Sequence, residues 1–469
     1  MAAVRVFRSY LKTPFLILLV IEVAVFFVSI YAAAWLRFIN VPAAFHEILD
    51  RLWVNAGMLA TVAPIAMLAT GLYQGNIREG ISGILLRLGI SLFAAGVFVS
   101  LLIYLLPEYY LGRGILAYAL FGSFFVIGTL RALFIELVDT EVFKKRVLVY
   151  GAGKTAAQID AKLRRKSDRR TFRIVGYVPL GHQQQELKVD SQQLVDIEGS
   201  VFAYVRDHNI DEIVVATSDA IEDVPVDDIV ECKLNGIEVV DILTFFEREV
   251  GQVRIDIMEP RWLLFSEGFR QSEVKDAVKR VFDLFSSSVI LAVGAPFMLI
   301  TAVAIKLEEG WKAPVFYHQL RVGLGQQPYK VYKFRSMRTD AESKGARWAS
   351  KTDDRVTRVG RVIRKTRIDE LPQIFNVLKG EMSFVGPRPE RPEFVKELAK
   401  EIPYYNERHL VKPGITGWAQ LMYPYGASVT DSYQKQLFDM YYIKNRNLFL
   451  DFLILLQTVE VVLFGKGAR

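Results

Sequence analysis

Four stretches within the first 140 residues are apolar for so long that only a helix can carry the backbone through them. Thr13 to Leu36 holds one charge, Glu22. Leu52 to Ile77 and Leu88 to Pro107 hold none. Gly114 to Leu130 is uncharged, and its apolar pattern continues through Arg131 to Val138. A hydrocarbon core of about 30 Å needs about 20 helical residues, so each stretch reads as a membrane span. Arg5, Arg8 and Lys12 precede the first, Arg78 and Arg87 separate the second and third, and Lys144, Lys145 and Arg146 follow the fourth. The opposite loops hold fewer basic residues, namely Arg37, Arg51 and Arg113. The cytoplasmic bias of Lys and Arg then puts both ends of this region in the cytoplasm. A hydrophobic content of 52% and a mean hydropathy of +0.23 fit a membrane protein with soluble parts. No A-x-A-like site closes the first run, so a cleaved signal peptide is not expected. The few charges in the spans give no support to a transport role.

From about Lys145 to Gln271 the pattern changes. "RVLVYGAGKTAAQI" reads as a buried strand, a glycine turn and a helix start. "FRIVGYV", "DEIVVATSD" and "GIEVVDI" read as further strands with helical patterns between them. This alternation predicts a parallel α/β sheet. Gly151-x-Gly153-x-x-Ala156 is in the right place to hold a phosphate at a helix N-terminus. A tight turn alone explains the same glycines. A dinucleotide site also wants a carboxylate after the second strand, where this chain has Val178, Pro179 and Leu180.

A fifth apolar stretch, Leu284 to Ile305, has Gly294 and Pro296 near its middle. Lys275, Lys279 and Arg280 lie before it, and Lys306 and Lys312 after it. Proline removes a helix hydrogen bond, and basic residues flank both ends. The expectation is a helix that enters the membrane, turns at Pro296 and leaves on the same face; an ordinary spanning helix is the alternative. The last 22 residues read as an amphipathic helix at the membrane surface or as a core helix.

Charge gathers beyond the fifth stretch. Trp311 to Asp369 carries 15 Lys/Arg against 5 Asp/Glu, an excess larger than the +7 of the whole chain. Such a region attracts phosphates, on lipids or on a substrate. Nucleic acid is not an expected partner of a chain with these spans. The single cysteine, Cys232, rules out a disulfide framework and a cysteine zinc site, and the five histidines have no ligand-like spacing.

Within "PYKVYKFRSMRTDAE", Lys333 and Arg335 are two apart on a predicted strand and so share a face, with Lys330 and Arg338 nearby. Two cations on one side suit a diphosphate; a solvated basic edge is the plainer reading. "GRVIRKTRIDELPQIFNVLKGEMS" reads as a helix capped by Thr366, with Asp369 at its third position. Asp369 and Glu370 then either complement the helix dipole or do chemistry. A carboxylate can attack phosphorus, and a second can hold Mg²⁺. Successive helix residues point about 100° apart, which suits two roles better than one shared proton. Arg364 lies close enough in sequence to neutralise a phosphate. In "VGPRPERPEF", Pro387 and Pro389 hold Arg388 in a narrow range of directions, as a phosphate-binding guanidinium requires; a rigid turn alone is the alternative. "VKPGITGWAQ" adds a Pro-Gly turn and Trp418, which suits a core or a stacking platform.

Taken in order, "KFRSM", "DELPQ", "MSFVGPRP" and "KPGITGWAQ" resemble the polyprenyl-phosphate phosphoglycosyl transferases of bacterial sugar-transferase type. The resemblance runs from about Lys275 to the C-terminus. The preceding part is similar to the larger members of that family, which have four membrane helices and a Rossmann-like domain. The implied architecture is a four-helix transmembrane region (1–140), a Rossmann-like α/β domain (141–271), a re-entrant membrane helix broken at Pro296 (272–310) and a mixed α/β catalytic domain with a C-terminal amphipathic helix (311–469). The implied reaction transfers hexose 1-phosphate from a UDP-sugar to undecaprenyl phosphate and releases UMP, initiating exopolysaccharide or related glycan synthesis. By position, Asp369 is the implied nucleophile and Glu370 the ligand of Mg²⁺ or Mn²⁺. Lys333, Arg335, Arg364, Pro387, Arg388 and Pro389 form the implied phosphate site. The implied location is the bacterial inner membrane, with the catalytic part on the cytoplasmic face; a homo-oligomer is left open.

Two departures stand out: Ala295 replaces a common Ser before the proline, and "WAQLMYPYGASV" resembles an exopolysaccharide-associated subgroup. Two rival readings remain. A membrane-anchored nucleotide-sugar dehydratase or epimerase needs a helical Tyr-x-x-x-Lys, and the only such spacings here are Tyr150/Lys154 and Tyr329/Lys333. A non-catalytic scaffold predicts that Asp369 is dispensable.

Overall fold

The computed structural model describes residues 3–6, 9–73, 81–110, 113–138, 144–164, 166–169, 171–180, 187–216, 224–258, 260–266, 268–269, 272–338, 355–423, 426 and 428–463. Arg8, Arg78, Gln271, the 339–354 part of the basic region and part of the loop after Trp418 lie outside these residues. The chain divides into two compact units, Met1–Val6 with Tyr10–Val250, and Phe7–Ser9 with Gly251–Arg469.

In the first unit, short strands β1 (Ala3–Val6) and β2 (Ser9–Lys12, of which all but Ser9 falls in this unit) precede four long helices. These are α1 (Thr13–Arg37), α2 (Pro42–Ala69), α3 (Ile81–Leu105) and α4 (Arg113–Val138). Each is apolar and long enough to cross a membrane. Helix α2 starts ten residues before the apolar run because Pro42 opens its first turn, where proline lacks no needed N–H. The helices pack through Phe26, Ile30, Leu59, Met67, Leu88, Val99 and Ile127. Their buried charges are paired. Arg131 of α4 lies 2.7 Å from Glu22 of α1 and donates to the Leu72 carbonyl. Arg87 of α3 donates to the Thr70 carbonyl.

The same unit continues as β3 (Lys145–Tyr150), α5 (Lys154–Lys162), β4 (Phe172–Val178), α6 (Val201–Asp207), β5 (Glu212–Val215), α7 (Val226–Leu234), β6 (Glu238–Asp241) and α8 (Ile242–Val250). The strands form one parallel sheet in the order β4-β3-β5-β6. Val147, Leu148, Val149, Ile213 and Val214 are all buried, as expected of central strands covered on both faces. Gly151 has φ +116°, and a Cβ there would sit 2.5 Å from the Ala216 carbonyl oxygen. The turn therefore requires glycine, whatever it binds. Gly153 directly precedes α5.

The second unit begins with α9 (Pro260–Phe265) and the 37-residue α10 (Glu273–Glu309). The expected break at Pro296 is not found: helix α10 is continuous through it, because an interior proline removes one backbone hydrogen bond and the turns on either side carry the helix on. At about 1.5 Å per residue it runs about 55 Å. Polar contacts tie both of its ends to the rest of this unit. Near its start, Arg280 donates to the Val377 and Leu378 carbonyls, and Asp283 accepts from the Ser383 hydroxyl and the Phe384 N–H. Near its end, Glu308 accepts from the N–H groups of Arg358 and Val359. Between them Phe285, Val289, Val293, Phe297 and Ile300 are exposed.

Next come the antiparallel pair β7 (Phe316–Val322) and β8 (Pro328–Phe334), followed by α11 (Arg358–Lys365) and α12 (Gln373–Lys379). Strand β9 (Ser383–Val385) pairs in parallel with β10 (Gly414–Thr416), with α13 (Pro392–Glu401) between them in sequence. Helices α14 (Trp418–Met422), α15 (Val429–Asn445) and α16 (Leu448–Leu463) complete the unit. Helix α16 is docked through buried Leu450 and Ile454, and its buried Asp451 accepts from Lys279 and Tyr442. Trp418 donates its indole N–H to the Gly251 carbonyl, so it belongs to the packing of this unit.

Candidate active site

The segment expected to be one helix capped by Thr366 is broken in two. Thr366 is the C-cap of α11, and its hydroxyl donates to the Val362 carbonyl. Arg367 then takes a left-handed φ of 60°, which ends the helix and turns the chain. Asp369 and Glu370 lie on the short 3₁₀ turn Ile368–Glu370 before α12 begins. Ile368 and Leu371, on either side of the carboxylates, pack with Met298 and Ile305 of α10. Gly294 of α10 also faces Leu371. The turn that carries both carboxylates thus rests on the middle of the long apolar helix.

The two carboxylates have different surroundings. The Glu370 Oε1 accepts from the Lys333 ammonium at 2.8 Å and from the Arg388 guanidinium at 3.3 Å, with Arg367 at 4.0 Å. Burial alone would raise its pKa, but Lys333 and Arg388 outweigh it and hold the carboxyl well below its ordinary range. Asp369 is 8% exposed and makes none of these contacts. Burial pushes it up to about 6 against the pull of Lys333, with the Glu370 charge adding to the rise. Neighbouring acids pushed apart in this way suit different tasks. Glu370 is a fixed anion clamped by cations. Asp369 is the more basic oxygen and has no clamp.

Asn376 aligns the clamp. Its wholly buried amide accepts from the Tyr332 N–H at 3.1 Å and donates to the Lys330 carbonyl and to Glu381, both at 2.7 Å. This joins α12 to β8 one residue before Lys333. The Pro387-Arg388-Pro389 turn is set by close backbone approach. A Cβ on Gly386 would lie 2.4 Å from the Lys412 carbonyl oxygen, and one on Gly414 would lie 2.1 Å from the Gly386 nitrogen. These glycines in "VGPRP" and "KPGITG" are needed because the two loops touch backbone to backbone. The Arg388 side chain is 40% exposed, so it can meet a ligand from solvent.

The structure thus gathers Asp369, Glu370, Lys333, Arg388 and the flanking Pro387 and Pro389. Arg364 is near enough to lower the Asp369 pKa. Arg335 is not gathered with them: its Nε donates to the Pro314 carbonyl and its guanidinium lies over Tyr317. Arg335 follows the last residue of β8, so strand alternation does not extend to it. Gly151 and Gly153 belong to the first unit. Sequence reasoning missed Arg367, Asn376 and the glycine contacts. The recurrence of glycine in both loop motifs was the available signal for the last of these.

No group of three or more His, Cys, Asp or Glu able to hold a metal occurs among the described residues. Mg²⁺ commonly takes only one or two carboxylates, with waters and substrate phosphates completing its shell. The adjacent acids are compatible with that mode: Lys333, Arg388 and Arg367 all approach Oε1 of Glu370, and Oε2 makes none of these contacts.

Comparison with known proteins places this site in context. Residues 274–465 match the family described as bacterial sugar transferase. The chain is 46% identical over 238 residues to a UDP-N-acetylgalactosamine-undecaprenyl-phosphate N-acetylgalactosaminephosphotransferase of Aeromonas hydrophila, covering 51% of this chain and 55% of that protein. It is 34% identical over 340 residues to an undecaprenyl-phosphate glucose phosphotransferase of Komagataeibacter xylinus, covering 70% and 61%. It is 40% identical over 195 residues to a UDP-glucose:undecaprenyl-phosphate glucose-1-phosphate transferase of Caulobacter vibrioides, covering 41% and 72%. The matched region thus spans between about half and three fifths of the first two relatives.

Proposed function

From the premise that the chain belongs to the bacterial sugar transferase family, we propose that it transfers hexose 1-phosphate from a UDP-sugar to undecaprenyl phosphate. The observation that carries this reading is the division of labour between Asp369 and Glu370 on a turn resting against an apolar helix. In the first step an Asp369 oxygen attacks the phosphorus that bears the sugar. The P–O bond to UMP breaks, and UMP leaves with the electron pair. A phosphate oxygen of undecaprenyl phosphate then attacks the same phosphorus, and the aspartyl–phosphorus bond breaks to restore the carboxylate. Lys333 and Arg388 neutralise charge on the phosphoryl oxygens, with Arg364 and Arg367 close by. Glu370 would hold Mg²⁺ or Mn²⁺, which supplies further neutralisation of the diphosphate when bound.

The second substrate is a lipid, and the placement of the turn suits it. Helix α10 is long and apolar enough to span a membrane, but both of its ends are bonded to the same compact unit, which supports a helix held at one face; re-entry there would require the unbroken helix to bend at Pro296. Its exposed middle would sit in the bilayer and bring a lipid phosphate to Asp369. We place the catalytic unit at the cytoplasmic face of the inner membrane, where nucleotide sugars occur. The names of the relatives divide between N-acetylgalactosamine and glucose, so the proposed donor class is UDP-hexoses.

The dehydratase or epimerase alternative loses ground. Strand β4 ends at Val178 and is followed directly by Pro179 and Leu180 where a dinucleotide site wants a carboxylate, and Tyr329 and Lys333 both lie on a strand. The test is transfer of label from a panel of UDP-[³H]sugars into extractable lipid, using membranes supplied with Mg²⁺ and undecaprenyl phosphate. Label from at least one sugar, lost on chelation and in Asp369→Asn, supports the reading. Equal label from wild type and Asp369→Asn removes Asp369 as nucleophile.

A further inference from the structure

The side chain of Arg388 reaches solvent, but the peptide groups beneath it do not move freely. Four successive carbonyls are held. Pro387 O accepts from the Gly414 N–H, and Glu390 O from the Val322 N–H, each at 3.0 Å. Between them, Arg388 O accepts from the Arg408 guanidinium and Pro389 O from the Arg321 guanidinium, again each at 3.0 Å. Two arginines, Arg408 buried and Arg321 half-buried, thus grip the two central carbonyls of a turn already stiffened by two prolines.

Both arginines are themselves anchored. The Arg408 Nη2 that reaches Arg388 O also lies 2.9 Å from Asp439 on α15, and its Nη1 donates to the Tyr405 hydroxyl. Arg408, Asp439 and Tyr405 are all buried. Arg321 ends its reach on Glu390 at 3.2 Å as well as on Pro389 O. A charged, bidentate donor is a costly way to hold a surface turn unless the direction of the turn matters. Reaction geometry is sensitive to displacements of about 1 Å, which can cost about a hundredfold in rate.

We propose that Arg408 and Arg321 are positioning residues for the transfer reaction, fixing the two peptide groups that follow Arg388 so that its guanidinium faces Glu370 and the phosphate of the donor. This rests on the reading of the site as a sugar-phosphate transferase. Neither side chain touches substrate; each acts through Arg388. Lysine at either position keeps the charge but cannot span two acceptors with a rigid planar fork.

The test uses the full chain in two measurements. The first is a double-mutant cycle on label transfer with UDP-sugar and undecaprenyl phosphate, combining Arg408→Lys with Arg388→Ala. Arg408→Lys is expected to slow transfer about ten- to a hundredfold in the parent, and less than about twofold once Arg388 is already alanine. The same fold loss in both backgrounds would mean a general structural role and would overturn the proposal. The second is hydrogen exchange of the detergent-solubilised chain, which needs no turnover. Peptides covering 386–391 should exchange faster in Arg408→Lys, with β8 and α12 unchanged. No change at 386–391, or an equal rise throughout the unit, would overturn it too. Arg321→Lys takes both tests should Arg408→Lys fail to accumulate. If wild type transfers no label from any UDP-sugar, the transferase reading falls, and hydrogen exchange alone decides whether these arginines order the turn.

Discussion

Replacing Asn376 by alanine should weaken the unit and slow transfer together, and the size of the effect can be worked from its contacts. The amide is wholly buried and makes three hydrogen bonds, two to the β8 backbone and one to Glu381. Truncation leaves the Tyr332 N–H and the Lys330 carbonyl without their partner. Each orphaned group costs ~1–3 kcal/mol when buried, and these sit near the accessible edge of β8, so about 1–1.5 kcal/mol apiece is reasonable. The lost bond to a charged Glu381 adds about 1 kcal/mol. The total is about 3–4 kcal/mol, a large part of a typical ~5–15 kcal/mol stability. Lys333 follows Tyr332, so its approach to Glu370 should loosen as well, and transfer should fall about tenfold at temperatures where the protein is still folded. Asn376→Asp keeps the acceptor for Tyr332 but loses both donors and sets a carboxylate beside Glu381. It should destabilise as much at pH 8 and less at pH 5. Proteolysis-monitored urea unfolding of the detergent-solubilised protein gives the stability. An alanine variant within about 0.5 kcal/mol of wild type would refute the claim that this amide joins α12 to β8.

Other outcomes follow from the same geometry. Glu370→Gln leaves Lys333 and Arg388 facing each other without their shared anion, and transfer should fall by about a hundredfold or more, checked by initial rates across a Mg²⁺ series. Gly414→Ala would put a methyl 2.1 Å from the Gly386 nitrogen, and the displaced Arg388 turn should cost most of the activity with a stability loss of about 1–3 kcal/mol. Burial and the nearby Arg408 push the His409 imidazole down to about 4 from an ordinary 6.5. A depressed folded pKa means this contribution is complete above pH 6.5 and drains away as pH falls toward 4. Between pH 7 and pH 5 it should decline by about 2 kcal/mol. Burial raises Asp439 to about 6, which works with the opposite sign. The clean readout is therefore the difference in unfolding free energy between wild type and His409→Gln, which should shrink by about 2 kcal/mol over that range; a constant difference refutes the buried neutral imidazole.

Much of the architecture was legible because it depends on composition over long windows. The four N-terminal runs and the fifth near Pro296 are helices, and the alternation after Lys145 gives a parallel sheet in which β3 leads into the glycine turn. Helix boundaries were less legible, since α2 and α3 begin in polar or mixed turns outside the apolar runs. The carboxylate segment misled for a physical reason. "TRIDE" has the spacing of a capping box, but Arg367 adopts a left-handed backbone that no helical pattern announces, so Thr366 closes one helix instead of opening the next. Lys333 and Arg388 could be picked out from their local motifs. Asn376 and Arg408 could not, because the backbone carbonyl that each one holds lies 20 or more positions away. Arg335 shows the limit of periodicity: strand alternation predicts a shared face only while the strand continues, and β8 ends at Phe334.

The central claim is that Asp369 becomes covalently phosphorylated by the sugar-bearing phosphorus. Purified wild-type protein would be incubated with the UDP-sugar that gives lipid label, without undecaprenyl phosphate, then acid-quenched, digested and read by tandem mass spectrometry. The account predicts a hexose-phosphate mass on the peptide containing Asp369, located at that residue and discharged when undecaprenyl phosphate is added. An adduct on any other residue, or lipid product formed at full rate from Asp369→Asn, would contradict it.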